Sequence, residues 1–207
     1  MSARFAILMD GGFVRLKLHR RLGRFPGVED VVAEIDRLKE CPELQHLQLL
    51  RTYFYDSPPA SGMLVNPVSG QTLDLGMSPI FSANVALQQG LELVPDLALR
   101  KGETDVHGWT VGEAALRDMA RTGRREIAEN DLVPKIEQKG VDLRIGLDIA
   151  RLSIQRMVEA IVVVTGDSDM VPAFKFARRE GVRVILSHMG HTIKRELKVH
   201  ADLVLPV

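Results

Sequence analysis

Val162-Val163-Val164-Thr165-Gly166-Asp167-Ser168-Asp169 is a β-branched run that empties into a turn bearing two carboxylates one residue apart. A strand of consecutive Val residues reads as buried on both faces, the condition of a parallel sheet covered by helices. The C-terminal edge of such a sheet is where open α/β folds bind ligands. Phe5-Ala6-Ile7-Leu8-Met9 runs in the same way into Asp10-Gly11-Gly12. Two buried strands are thus expected to deliver an acid each to one edge.

Working outward, apolar residues at Phe13, Val14, Leu18 and Leu22 predict a helix over 13–22, with Arg15, Lys17, Arg20 and Arg21 on its wet side. Val28, Val31, Val32, Ile35 and Leu38 predict a second over 28–41, stopped by Pro42. A strand over 47–55, closed by Asp56-Ser57-Pro58-Pro59, completes a β-α-β opening. Residues 57–79 are rich in Pro, Gly and Ser and read as a long functional loop or an insertion, with partial disorder expected. A helix is expected over 84–94, and strands 97–100 and 108–111 are expected to pair around Gly102-Glu103-Thr104-Asp105. A helix over 113–121 and a charged linker over 122–131 follow. Order returns with an extended run over 134–138 and a helix over 141–155, whose apolar positions are Leu143, Leu147, Ile149 and Leu152. Beyond it come strands at 161–165, 182–186 and 203–205, with helices at 169–180 and 192–200. The fold class is a three-layer α/β/α sandwich with a mainly parallel sheet, one domain over 1–207 with a less regular excursion at 57–131.

Composition is that of a globular chain, 45% hydrophobic and 26% charged, and 27 basic residues cancel 27 acidic ones. No global field advertises a polyanionic partner, so local patches must carry any such argument. The single Cys41 has no internal partner, and His188, His191 and His200 lack zinc spacing with it and are taken as surface or capping groups. No signal-peptide layout and no apolar run of membrane-spanning length is present, so a soluble, cytoplasmic protein is expected. No Ser-His-Asp order, P-loop or dinucleotide glycine fingerprint occurs.

Asp10, Asp142, Asp167 and Asp169 each fall at a strand end or helix start, and Asp148 lies on the helix that Asp142 opens. Neighbouring carboxylates raise one another's pKa, a cost that a hard divalent cation such as Mg²⁺ or Mn²⁺ removes. Each acid also has a plain alternative. Asp10, Asp167 and Asp169 suit turns and caps, Asp142 suits a helix start, and Asp148 suits a partly exposed helix or a supporting position. Lys139, Arg144 and Arg151 flank the acids as candidate phosphate contacts, Lys139 foremost because it adjoins Asp142, with solvated helix faces as the alternative. Ser168, inside the acid turn, is a further candidate nucleic-acid contact. Trp109 beside His107 offers a stacking surface or a structural one. Arg121, Arg124 and Arg125 offer a phosphate patch or a solvated turn.

These residues resemble the NYN domain, a branch of the PIN-like metal-dependent ribonuclease group. The resemblance rests on Ile7-Leu8-Met9-Asp10-Gly11, on Tyr53-Phe54-Tyr55-Asp56, on Lys139-Gly140-Val141-Asp142-Leu143-Arg144-Ile145-Gly146-Leu147-Asp148 and on Thr165-Gly166-Asp167-Ser168-Asp169-Met170-Val171-Pro172. Leu97-Ala98-Leu99-Arg100-Lys101-Gly102-Glu103 adds a further similar stretch. The resemblance implies an acidic metal pocket of Asp10, Asp142, Asp167 and Asp169 with Asp148 as a neighbour, a Mg²⁺ or Mn²⁺ cofactor, and RNA as substrate. Whether a homo-oligomer or a protein partner is involved stays open. One departure stands out, because family members often carry Asn two residues after the first acid, where this chain has Gly12. The alternatives are an RNA-binding or partner-recruiting module that cleaves weakly or not at all, and a small-molecule phosphohydrolase whose closed pocket the middle excursion would build.

Overall fold

The two acid-ending strands lie side by side at the centre of the molecule. In the computed structural model, which describes residues 3–205, β1 (Arg4–Asp10) and β8 (Ala160–Val164) pair in parallel, Leu8 opposite Val163 and Met9 opposite Val164. On the other side of β1 run β2 (Gln48–Asp56) and then β5 (Leu97–Lys101); beyond β8 run β9 (Arg183–Ser187) and β10 (Leu203–Val204). All six strands are parallel, in the order β10-β9-β8-β1-β2-β5. The chain therefore winds outward from β1 in one direction and, after returning at β8, outward in the other.

Right-handed crossovers then put the helices of the two windings on opposite faces. α1 (Gly11–Leu22), α2 (Val28–Lys39) and α3 (Pro79–Leu91) cover one face, where Val14, Leu18, Ile35, Leu38 and Leu91 meet Ile7, Met9, Phe54 and Val162. α5 (Val141–Ile154), α6 (Val171–Arg179) and α7 (Arg195–Val199) cover the other, where Ile145, Ile149, Phe174 and Leu197 meet Leu8, Tyr55, Val163 and Val184. Successive strand residues alternate between the two cores, as the period of a strand requires. β8 is buried at every position, which is why its sequence reads as unbroken Val and Ile rather than as alternation. The three-layer α/β/α class holds.

The middle of the chain differs from its reading. Residues 57–79 are not disordered: β3 (Met63–Val65) and β4 (Thr72–Asp74) form a small hairpin. The strand at 97–101 does not fold back on its neighbour, since β5 joins the sheet edge while β6 (Glu103–Val111) pairs antiparallel with β7 (Leu132–Lys139). This ribbon, with α4 (Glu113–Thr122) between its strands, returns the chain to the carboxyl edge of the sheet. There Gly102 N–H donates to Asp56 O (2.7 Å), and a Cβ at Gly102 would stand 2.6 Å from Lys139 O, so only glycine lets the base of the ribbon close. On α5 the buried face is Ile145, Ile149 and Leu152, while Leu143 and Leu147 face solvent at 66% and 60% exposure. Arg15, expected on the wet side of α1, turns inward to Asp56.

Candidate active site at the carboxyl edge

β1 and β8 part at the point where the winding reverses, the crevice in which open α/β sheets take ligands. Asp10 ends β1 and caps α1, accepting from Phe13 N–H at Oδ1 (3.1 Å). Its Oδ2 accepts from the buried Thr165 hydroxyl (3.5 Å), which in turn accepts from Asp167 N–H (3.1 Å). Thr165 thus ties the acid of β1 to the turn after β8. Asp167 opens a 3-10 turn over Ser168–Met170 and accepts from Asp169 N–H (2.8 Å). Asp142 reaches the same edge from a different direction, as the second residue of α5 after the ribbon has brought the chain back.

The electrostatics join these groups. Burial, with added repulsion from Asp142 and Asp167, pushes the Asp10 carboxyl up to about 6 against the lowering effect of Phe13 N–H. Desolvation raises Asp142 as well, helped by the charges of Asp167 and Asp169. Asp148 enters neither balance. As donors the four acids are of the type that hard divalent cations take, and their mutual repulsion is what such an ion relieves. Their convergence is incomplete, however. Among the described residues no three His, Cys, Asp or Glu side chains stand together in an arrangement that would hold an ion. Asp10 and Asp167 are each turned onto a backbone N–H. The donor chemistry fits the ion; ligation requires these side chains to rotate.

The NYN domain profile matches residues 102–206, just over half of the chain. The chain belongs to the NYN domain family. The NYN match takes in Asp142, Asp167 and Asp169 and stops short of Asp10, which joins them only through the pairing of β1 with β8. A Vibrio parahaemolyticus protein of unknown function has a similar crystal structure, with a TM-score of 0.53 at 13% identity over 99% of this chain and 92% of that one. That likeness concerns the fold alone. A search of curated proteins finds no match.

The other predicted residues of this NYN domain scatter. Asp148 accepts from the Tyr55 hydroxyl (2.9 Å) and pairs with Arg100 (3.2 Å) and more loosely with Arg151 (3.7 Å), so its charge is already answered. Burial and Asp148 hold the Tyr55 phenol well above its usual range. Lys139 is ion-paired to Asp105 across the ribbon, Arg144 donates to Gly140 O (2.9 Å) and braces the start of α5, and Ser168 sits half-buried in the acid turn. Trp109 lies opposite Pro134, some six residues along the ribbon from its base, or about 20 Å at the rise of a strand. Its indole N–H is buried without a protein partner.

Two groups that the sequence marked only as a strand end and a surface histidine also meet at this edge. Asp56, 1% exposed at the end of β2, takes Arg15 (2.9 Å), Gln88 Nε2 (3.0 Å) and Ser57 N–H (2.9 Å). Its position at a strand end, like that of Asp10, was the available signal. On the other flank His191 meets the Phe13 ring edge-on (5.7 Å between centroids), and Lys17 lies 5.7 Å from that ring. Burial and the nearby Lys17, Arg20 and His188 lower the His191 pKa, and its imidazole lies against Gly166 in the acid turn. No spacing rule joins α1 to the loop before α7, and the contact is visible only once they pack.

Proposed function

We propose that this NYN domain is a divalent-metal-dependent ribonuclease working through Asp10, Asp142, Asp167 and Asp169. The observation that carries the reading is the placement of Asp10 at the switch point, tied through Thr165 to the Asp167 turn, where burial and the charges of Asp142 and Asp167 raise its pKa. A fold that keeps such a repulsion at its ligand-binding edge is built for a counter-cation, and perturbed carboxyls in a crevice mark working sites. Asp10, Asp142, Asp167 and Asp169 would hold Mg²⁺ or Mn²⁺, which would supply Lewis acidity and a more acidic water beside the scissile phosphate. The chain's own residues do the rest. Thr165 orients Asp10 against the Asp167 turn, and exposed Asp142 stands at the mouth of the crevice. Lys17 and Arg20 offer the flanking phosphates a positive surface that a chain of zero net charge lacks elsewhere as a global field.

A second reading, an RNA-binding module without cleavage, draws on the incomplete convergence of the acids and on Gly12. Asp167→Asn separates the two, since the amide keeps an acceptor for Asp169 N–H while removing a ligand charge. With single-stranded RNA and Mn²⁺, the variant is expected to lose at least about 100-fold in cleavage rate and to keep its melting temperature. If the wild type binds RNA in a salt-dependent way but cuts none, the binding module is the correct reading.

A further inference from the structure

The excursion that the sequence left unexplained walls a cavity of about 390 Å³ beside the acid edge. Its apolar sides are Pro58, Pro59, Leu75, Phe81, Pro134 and Ile136, contributed by the loop after β2, the segment leading into α3, and the ribbon. Its polar points are Arg15, Ser57, Ser78, Asn84, Thr104 and Gln138, and no carboxylate of the described residues lines it. Two of these carry unsatisfied hydrogen-bonding capacity. Ser57 is 2% exposed, and neither its hydroxyl nor the Arg15 Nε–H has a protein partner. Unpaired buried groups of this kind are costly in a folded protein; both atoms are closed to the cavity as it stands, so a ligand reaches them only if its wall shifts. The cavity also adjoins the proposed site. A Cβ on Gly12 would stand 3.5 Å from Asp10 Oδ1 and 3.6 Å from Gln138 Oε1, so the Gln138 end of the cavity and the first acid face each other across Gly12.

We infer that this cavity receives one unpaired nucleobase of the RNA strand, seating it beside the scissile phosphate. The inference rests on the ribonuclease reading for the identity of the ligand. The volume lies at the lower end of small-ligand pockets, large enough for a heterocycle with its ribose and too small for a duplex. Proline and phenylalanine walls suit a flat ring, and the hydroxyl and amide groups suit its edge. Arg15, its charge answered by Asp56 and its guanidinium oriented by Asn84 Oδ1 (2.9 Å), offers a planar hydrogen-bonding group at the wall. A paired base cannot enter, so the strand must be unpaired at that position.

The test is binding of A, C and U homopentamers to the Asp167→Asn protein without metal, followed by NMR of the backbone amides and by titration. One pentamer is expected to bind at least about fivefold more tightly than the weakest and to shift the amides of Ala60, Ser78 and Ile136. The cavity-filling Ile136→Trp should erase that preference while leaving the affinity common to all three. Ala60→Trp serves as a second filling variant if Ile136→Trp lowers the melting temperature. Equal affinities for the three, no binding, or a preference that survives in a well-folded filled variant would overturn the inference. Because the binding measurement needs no cleavage, the two proposals fail separately. A wild type that cuts nothing but loses its base preference on filling refutes the nuclease and keeps the cavity, and metal-dependent cutting indifferent to filling does the reverse.

Discussion

Asp10 serves as a helix cap and as a charge held out of water, and the two roles have opposite energetic signs. The cap stabilises α1, whereas the ionised carboxyl is disfavoured because burial, Asp142 and Asp167 all raise its pKa from 3.8 to about 6. A pKa raised on folding gives stability that is complete below the unfolded value and lost as pH climbs through the folded one, so the loss falls between about pH 4 and pH 6. The full shift corresponds to about 3 kcal/mol. Asp10→Asn keeps a capping oxygen and discards the charge. In chelator at pH 8 it is expected to melt higher than the wild type by on the order of 5 °C, with the difference vanishing near pH 4. Thermal scans of both proteins across pH check this, and a variant that melts lower at pH 8 would show that the charge has a partner.

At the scale of elements, the junction of β1 and α1 decides how closely the first acid approaches the sheet edge. Gly11 packs so tightly that a Cβ would stand 2.5 Å from Tyr55 O and 2.6 Å from the Phe54 ring, and both belong to the buried end of β2. Gly12, next in the chain, has ordinary contact distances and no positive φ. Gly11→Ala is therefore expected to lose about 2 kcal/mol or more, since backbone cannot step aside. Gly12→Ala should gain about 0.5–1 kcal/mol from helix propensity. Urea denaturation of the two variants should show shifts of opposite sign. The same geometry admits Asn at 12, the residue that the family resemblance expects there. On α5, rotation by about 100° per residue explains why Asp142 and Asp148 part company. Asp142 precedes Ile145 and Ile149 by three and seven positions and shares their side of the helix. Asp148, six positions on, is about 240° around the axis and meets Tyr55 and Arg100 instead.

Across the whole molecule, Asp56 joins what the chain makes far apart, the end of β2 to α1 through Arg15 and to α3 through Gln88. Asp56→Ala leaves Arg15 largely buried without its counter-charge, and such breaks cost about 3–5 kcal/mol. Its melting temperature is expected to fall by on the order of 10 °C. The pair Arg15→Met with Asp56→Leu should recover part of that loss, and recovery absent from the double variant would mean that the charges do more than offset each other. Such links also mark the limit of what could be read from the chain. The order of buried strands and amphipathic helices, the parallel sheet and the acids at strand ends were all legible, because burial on both faces and helical period are written in neighbouring residues. The sequence by itself also determined that Asp10 and Asp167 stand at or just past the end of a buried strand, since an apolar run leads into each. Only the tertiary structure decided that β5 joins the sheet and β6 pairs with β7, that Asp148 is answered by arginines, that Arg15 turns inward, and that the middle of the chain walls a cavity. Strand partners and ion pairs across 41 or 48 residues depend on which surfaces meet after collapse, and no local period encodes that meeting.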